Sequence, residues 1–275
     1  MLRLNRFETI LFYALLIIYC LIILVPFGNM LMNSSKSLRE IYMTPFGFPE
    51  SFMTQNYVQA WQRGNIGTGY RNSALVAGVS VVSIVLLSSM FAFSISKLKF
   101  GMRRFFFMYS MLGLAFPARL AIIPIFLLMR SVGLTNSLIG LVIIYVAVNI
   151  PFSVFILKNF IDGVPNELAE AATIDGATPV QVYWNVVMPL VTPAVSIVAI
   201  VSFVNIWNDF FFPLVFINDR SKATITLAIS TFFGEYGHQW HLLFAGLVLA
   251  IAPTIIMFVI FSRQFIAGMT QGAIK

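Results

Sequence analysis

The sequence predicts an all-α, polytopic membrane protein with six transmembrane helices and a cytoplasmic helix–turn–helix between spans four and five. Hydrophobic residues make up 59% of the 275 residues and charged residues only 10%, whereas a soluble domain carries about 25% charged residues. Several long intervals also contain no charged residue at all. These two observations favour a membrane protein before any motif is considered.

Five charge-free intervals are long enough to cross a bilayer, since a transmembrane helix needs about 20 mostly apolar residues. They are residues 9–35, 72–96, 131–157, 176–208 and 236–262. A sixth interval lies between Arg104 and Arg130 and is interrupted only by Arg119. Six spans place both termini on one side of the membrane, and we expect residues 1–275 to form a single membrane domain.

Basic residues predict which side holds the termini. The short loop after span two contains Lys97, Lys99, Arg103 and Arg104, and further basic residues flank the first and last spans. Cytoplasmic loops carry an excess of lysine and arginine, which predicts cytoplasmic termini. The net charge of +7 fits loops that face anionic membrane lipid, so we expect lipid and not nucleic acid as a partner.

The loop after span four, residues 159–190, contains residues that favour the start and the end of a short helix. Pro165 suits the beginning of a helix, where its missing N–H is not needed. Glu167 and Glu170 follow, and the helix dipole favours anions near this end. Gly176 suits the position just after a helix end. These signals predict a short amphipathic helix that ends close to Gly176.

A second helix start follows at once. Thr178 and Gln181 have capping-box spacing, with Pro179 at the first helical position. Pro189 then ends this helix or bends it into span five. The result is a short helix–turn–helix at the membrane surface. From the physical pattern alone, this is either an ordinary amphipathic loop or a docking element for a partner.

The same segment contains a long, gapped motif. Glu170-Ala171-Ala172 is followed after three residues by Gly176, and after nine more by Val186-Val187-Met188-Pro189. This pattern resembles the EAA loop of ABC-importer permeases, with Val186 and Met188 in place of isoleucine and leucine. The resemblance implies a coupling helix that docks on an ATPase subunit. The implied coupling residues are Glu170, Ala171, Ala172, Asp175, Gly176 and Pro189.

Other stretches follow the order of the carbohydrate-uptake branch, which includes the six-span, maltose-type permease subunits. They are Ile123-Pro124, Gly133-Leu134, Trp207-Asn208-Asp209 and the tail from Gly268 to Ala273. The resemblance implies alternating-access import of a sugar or oligosaccharide through a bacterial or archaeal plasma (inner) membrane. It also implies a second, homologous permease subunit, two ATPase subunits and an extracytoplasmic solute-binding protein as partners.

A nucleotide-binding motif is missing from the sequence, and this bears on which subunit binds ATP. The chain has no Gly-x-x-x-x-Gly-Lys-Ser/Thr phosphate loop, the motif whose backbone cradles nucleotide phosphates. We therefore expect ATP and Mg²⁺ on the partner ATPase, no cofactor on this chain, and no enzymatic activity of its own.

Arg119 lies near the middle of span three. An arginine at a helix centre costs roughly 2.5–3.5 kcal/mol on insertion scales, so it needs water, a carboxylate or a partner subunit. One interpretation is a pathway residue that meets sugar hydroxyls or an acidic or phosphorylated substituent. The other is a structural ion pair, or a hydrogen bond to carbonyls near Pro117.

Further polar candidates for the substrate pathway lie in spans four and five. Asn205 and Asp209 are four residues apart, so they are expected to share a helix face. Trp207 is either a stacking surface for a sugar or an anchor at the membrane boundary. Asn208 accompanies them, and Asn149 is a candidate for the same cavity. His238 and His241 have no third ligand nearby, so no metal site is predicted.

Two other function classes fit a membrane protein of this size. A self-sufficient secondary carrier of a polar solute needs a relay of buried carboxylates, for which Asp209 is the only candidate. An integral membrane enzyme needs paired carboxylates, a histidine cluster or a nucleophile elbow in its spans, and the sequence suggests none of these.

Overall fold

A computed structural model describes residues 5–234 and 239–273 of the chain, with only the backbone from residue 261 onward. All regular structure in this part is helical, as the sequence predicts. The helices are α1 Arg6–Ser34, α2 Leu38–Met43, α3 Gln55–Arg63, α4 Ile66–Lys97, α5 Arg103–Ala115, α6 Ile122–Ser131, α7 Leu138–Asp162, α8 Asn166–Ile174, α9 Pro179–Val182, α10 Met188–Leu190, α11 Thr192–Asn208, α12 Phe211–Phe216, α13 Ile225–Gly234 and α14 Trp240–Ala273. A π-helical turn (Tyr183–Val187) and a 3₁₀ turn (Arg220–Lys222) complete the set.

Four described helices are long and apolar enough to cross a membrane: α1, α4, α7 and the first 21 residues of α14. A fifth candidate is the pair formed by residues 179–190 and α11, which is bent by 79°. The interval predicted for span five began at Gly176, but the straight part of this span begins only at Thr192. Pro189 and Pro193 lie on either side of the bend and explain it, because each removes a backbone donor.

Helix α1 begins with a capping box. The Asn5 N–H donates to Glu8 Oε2 (2.7 Å), and the Asn5 side chain in turn caps the first helical turn. The apolar part of α1 has a mean hydropathy of 2.9, and none of its residues is buried within the chain. A helix that is apolar all round without protein cover is suited to lipid.

The predicted third span is not one continuous helix. Helices α5 and α6 have 13 and 10 residues, and neither crosses a bilayer alone. Residues 116–121, here called the helix break, separate them. Phe116 is extended, with φ −102° and ψ 118°. Pro117 accounts for this, because a proline disfavours helical backbone in the residue before it.

The chain forms two compact units. The first contains Met1–Gly67 and Ala228–Ala252, and the second contains Thr68–Leu227 and Pro253–Lys275. In the first unit, the indole N–H of Trp240 donates to the Tyr42 hydroxyl (3.0 Å), which joins α2 to the start of α14. In the second unit, α7 packs against α5, α11 and α12. The single-domain expectation stays a prediction.

Within the second unit, Asn136 links the loop before α7 to the loop after α12. Asn136 has a left-handed backbone (φ 53°), which asparagine tolerates well. Its side-chain oxygen accepts from the N–H groups of Asn218 and Asp219, both at 3.1 Å. Its carbonyl accepts from Lys222 Nζ (2.9 Å). The two loops therefore lie at the same end of this unit.

The 3₁₀ turn at this end is stabilised by Asp219. The Asp219 carboxylate accepts from both the N–H (2.9 Å) and the hydroxyl (2.8 Å) of Ser221. These hydrogen bonds hold the pKa of the exposed Asp219 carboxyl below its ordinary value. Nearby, Asn72 of α4 donates to the carbonyls of Ser221 and Ala223 (2.9 and 3.0 Å), so the start of α4 lies at this end as well.

Candidate functional site

The first candidate region is the hinged segment, residues 164–190, and its two short helices start where the sequence predicts. Pro165 immediately precedes α8, and Glu167 lies in its first turn. At the start of α9, the Thr178 N–H donates to Gln181 Oε1 (2.7 Å). The Gln181 N–H donates back to the Thr178 hydroxyl (3.4 Å). The predicted capping box is therefore present, with Pro179 at the first helical position.

The hinge between these helices depends on Gly176, whose φ is +85°. The Gly176 N–H donates to the Thr173 carbonyl (3.0 Å), and the Ala177 N–H donates to the Ala172 carbonyl (2.9 Å). This pair of bonds is a Schellman motif. A Cβ atom on Gly176 would meet nothing within 4 Å. Glycine is therefore favoured here by its backbone conformation alone.

Most of the predicted coupling residues are exposed. They are Glu170, Ala171, Asp175, Gly176 and Pro189, whereas Ala172 is half-buried. The apolar side chains beside them are uncovered too, since Ile174 is 86% exposed and Leu168 45% exposed. The isolated chain therefore presents an apolar surface with a carboxylate, Glu170, on the same short helix. Such a surface is suited to contact with another protein.

The opposite face of the hinged segment packs against α4. Val182 and Tyr183 are buried. The Tyr183 hydroxyl lies 2.7 Å from the Ser89 hydroxyl, and its ring centroid lies 5.4 Å from that of Phe93. One face of the segment is therefore held by a transmembrane helix while the Glu170 face stays uncovered.

Lys97 anchors the beginning of the segment, and sequence reasoning missed this role. Its ammonium group donates to the Val164 carbonyl (2.6 Å) and to Asn166 Oδ1 (2.8 Å). Lys97 was counted only as a topology charge, because no local pattern connects it to residues 67 positions later. A cleft of about 600 Å³ lies beside this anchor, between α8 and the α4–α5 loop.

The second candidate region is the helix break. Arg119 lies within it and has a 71% exposed side chain. Its guanidinium NH2 atom is 3.7 Å from Asp209 Oδ1, and its Cζ atom is 5.8 Å from the centre of the Phe211 ring. Both readings of Arg119 therefore find support, because it has a carboxylate partner and also faces open space.

Asp209 is held much more tightly than Arg119, with only 8% of its side chain exposed. Its Oδ2 atom accepts from the Tyr145 hydroxyl (2.9 Å) and from the Phe212 N–H (3.0 Å). Its carbonyl accepts from the Thr226 hydroxyl (2.7 Å). Asp209 thus joins α7, α11, α12 and α13, and Tyr145 and Thr226 are site residues that sequence reasoning missed. Their partners are 64 and 17 positions away, so no local signal identifies them.

The remaining predicted pathway residues are not all brought together. Asp209 directly follows the last residue of α11. Its side chain is 8% exposed whereas Asn205 is exposed, so their shared helix face stays a prediction. Asn208 is exposed and donates to the Val204 carbonyl. Asn149 donates to the carbonyl of Tyr145, the residue whose hydroxyl reaches Asp209.

Trp207 is 5% exposed. Its ring lies 5.4 Å from Phe203 and 6.0 Å from Tyr70, measured between centroids. The indole therefore packs inside the protein in this conformation and offers no open face for stacking a sugar. His238 lies outside the described residues. Among the residues that are described, no three His, Cys, Asp or Glu side chains come together to hold a metal ion.

Apolar spanning helices, an interrupted helix with an arginine at the break, and an exposed hinged segment together define a membrane transport protein. The chain belongs to the family of binding-protein-dependent transport system inner membrane components, which it matches over residues 84–271. This family is that of ABC permeases, and the resemblance inferred from the EAA motif is thereby confirmed. Family membership favours a permease subunit over the secondary carrier.

Relatives along the whole chain agree. The chain is 33% identical to the diacetylchitobiose uptake system permease protein NgcG of Streptomyces coelicolor, over 96% of this chain and 88% of that protein. It is 31% identical to the arabinooligosaccharides transport system permease protein AraQ of Halalkalibacterium halodurans, over 91% and 90%. A bacterial ABC transporter that imports the acidic polysaccharide alginate has the same fold, with a TM-score of 0.85 and 23% identity over 96% of this chain and 100% of that chain.

Proposed function

We propose that this chain forms half of the translocation pathway of an ATP-driven sugar importer and transmits ATP hydrolysis on a separate subunit to that pathway. The observation that carries the proposal is the exposed Glu170 face of the hinged segment. This face combines apolar side chains with the Glu170 carboxylate and is shaped by its caps. Lys97 and Tyr183 fix its base to α4. A force applied to the segment would therefore reach a spanning helix directly.

The proposed assembly contains a second, homologous permease subunit, two ATPase subunits that bind ATP and Mg²⁺, and an extracytoplasmic solute-binding protein. A solved alginate transporter of the same fold is in complex with a pentasaccharide-bound periplasmic protein (TM-score 0.65), which supports the last of these partners. The helix break supports the second permease subunit. Non-helical backbone at membrane depth is tolerated only where protein or a water-filled cavity covers it, and Phe116 and Leu120 are 75% and 80% exposed in this chain alone.

We also propose six crossings with both termini in the cytoplasm. The contacts inside the second unit support alternation of its loops. The loop after α4 meets the loop after α7 through Lys97, and the loop after α6 meets the loop after α12 through Asn136. In each pair, two crossings of the membrane separate the loops, if α5 and α6 together count as one broken span. Both loops of a pair then lie on the same side. The basic loop after α4 then lies on the cytoplasmic side with the hinged segment.

The substrate class that Arg119 favours is an acidic sugar or oligosaccharide. Discontinuous helices at membrane depth commonly form transport binding sites, and an exposed guanidinium pairs well with carboxylate or phosphate groups. The names of the relatives include neutral and acidic sugars. The preference for an acidic substrate is therefore inferred from Arg119 and not from the family. Uptake of an acidic and a neutral oligosaccharide by an Arg119→Ala variant tests it.

The coupling role is tested by Glu170→Lys, with Glu167→Lys as its matched control. Both glutamates are exposed on α8, and both changes reverse one charge near the same helix start. We expect Glu170→Lys to abolish co-purification of the ATPase or its substrate-stimulated hydrolysis, while Glu167→Lys retains most of both. Full stimulated hydrolysis in Glu170→Lys, or an equal loss in both variants, would remove Glu170 from the coupling site.

A further inference from the structure

A basic cleft opens where α4 and α7 end and α5 begins. It has a volume of about 340 Å³, and its lining residues include Arg103, Arg104 and Phe107 of α5 and Lys158 of α7. Asp162 also lines the cleft, and it already forms an ion pair with Lys158. Within the described part of the chain, neither arginine has an ion-pair partner. The cleft therefore presents two uncompensated positive charges.

Two further features make this cleft suitable for an anion. Helix α5 starts here with no side-chain cap and no acidic residue in its first turn, so the positive end of its dipole is not neutralised. The Ser96 hydroxyl also lines the cleft. It is buried and has no hydrogen-bond partner, although buried polar groups are nearly always paired.

A second, apolar cleft of about 610 Å³ is lined by the same three helices. Its residues include Phe91 of α4, Phe106, Tyr109 and Gly113 of α5, and Ala147 and Pro151 of α7. Between the two clefts the mean lining position moves by about five residues along α5 and about eleven along α7, which is roughly 8 Å and 16 Å at 1.5 Å per residue. The basic cleft lies at the helix ends and the apolar cleft lies toward the middle of the spans.

The surroundings place this pair of clefts at a membrane surface. Phe100, Phe105 and Tyr109 are 38%, 57% and 67% exposed near the start of α5. Tyrosine and tryptophan are enriched where membrane proteins meet the headgroup region, and Tyr109 is such a residue here. Basic pockets between spanning helices on the cytoplasmic side suit anionic lipid headgroups.

We propose that the two clefts bind one anionic phospholipid, with its phosphate against Arg103, Arg104 and Ser96 and an acyl chain in the apolar cleft. Charge complementarity selects the anionic headgroup. A free phosphate ion would leave the apolar cleft empty. An acidic protein surface would not reach the apolar cleft, which lies below the helix ends. Ser96 and Arg103 also line the neighbouring cleft beside Glu170, so binding of the ATPase subunit is measured together with lipid. The proposal does not depend on the identity of the transported solute.

The test measures lipid retained by the full importer complex, purified in defined mixtures of phosphatidylglycerol and phosphatidylcholine and analysed by native mass spectrometry. We expect tightly retained phosphatidylglycerol in the wild type and about a thirtyfold lower affinity in Arg103→Gln/Arg104→Gln, if each arginine contributes the attraction typical at an anionic membrane surface. Lys99→Gln/Arg130→Gln removes two exposed basic charges outside the basic cleft and is expected to retain the lipid.

A second variant pair tests the apolar cleft without changing charge. Ala147→Phe fills the cleft and is expected to reduce lipid retention, whereas Ile143→Phe, one turn away on α7 and outside the lining, is not. Equal retention of both lipids, or full retention in the Arg103/Arg104 variant, contradicts the proposal. The proposal is also contradicted if the Arg103/Arg104 variant keeps its bound phosphatidylglycerol but loses the ATPase subunit. In that case the basic cleft contacts a partner protein and not a lipid.

Discussion

The hinged segment and the Arg119–Asp209 cluster are built in opposite ways. In the segment, the bonds that set the shape join close neighbours, such as Ala177 to Ala172 and Thr178 to Gln181. In the cluster, Asp209 is held by Tyr145, 64 residues away, and paired with Arg119. The segment therefore has a shape of its own, whereas the cluster exists only when several helices are packed together.

This difference predicts separable failures. A change at the hinge alters the shape of an exposed segment and leaves the packing of the spans in place. A change at Asp209 leaves buried groups of several helices without partners and weakens the fold itself. A change at Arg119 removes an exposed charge that contributes little to the fold.

The largest functional effect is expected from Gly176→Pro. Proline fixes φ near −65°, which is incompatible with the +85° of Gly176, and it removes the N–H that donates to Thr173. We expect complete loss of substrate-stimulated ATP hydrolysis in the purified complex, with an unchanged free energy of unfolding for the spans.

A matched valine pair isolates the cause of that effect. A Cβ atom would meet nothing within 4 Å at either Gly176 or Gly101, but only Gly176 has a left-handed backbone. We expect Gly176→Val to impair coupling, because a β-branched residue is strained at positive φ, and Gly101→Val to retain it. Equal behaviour of the two valine variants argues against the hinge conformation as the cause.

The largest loss of stability is expected from Asp209→Ala. The change leaves the Tyr145 hydroxyl and the Phe212 N–H without an acceptor, and each unsatisfied buried donor costs about 1–3 kcal/mol. We expect a loss of about 3 kcal/mol in a detergent unfolding titration. Asp209→Asn keeps an acceptor oxygen and is expected to lose less than half as much. If the two variants are equally destabilised, the charge of Asp209 and not its hydrogen bonding holds the cluster.

The smallest stability effect is expected from Arg119→Ala. Its guanidinium is mostly exposed and lies 3.7 Å from Asp209 Oδ1, and ion pairs of solvated side chains contribute about 0–1 kcal/mol. Its effect should appear in transport, as about a tenfold lower uptake of an acidic oligosaccharide, the loss of roughly one charge-assisted contact, with neutral sugar uptake unchanged. Arg130→Ala removes another exposed arginine at the far end of α6 and serves as the control. An unchanged preference for acidic over neutral substrate in Arg119→Ala rules out the acidic substrate class.

The sequence predicted some features in detail and missed others for identifiable reasons. The capping box at Thr178, the turn at Gly176 and the bend near Pro189 all follow from residues within a few positions, and all are present. Span three was predicted as one helix because hydropathy is insensitive to a short interruption. Pro117 was visible in the sequence, but whether a proline kinks or breaks a spanning helix depends on its surroundings.

Composition, apolar intervals and the EAA spacing determined by themselves that this chain is a helical membrane permease with a capped, hinged segment. These properties depend on the chemistry of single residues and on contacts between near neighbours. Only the tertiary structure decided that Asp209 turns inward to Tyr145, that Trp207 is buried, and that Lys97 anchors the hinged segment. Each of these depends on which helices pack side by side, and no local sequence pattern records that.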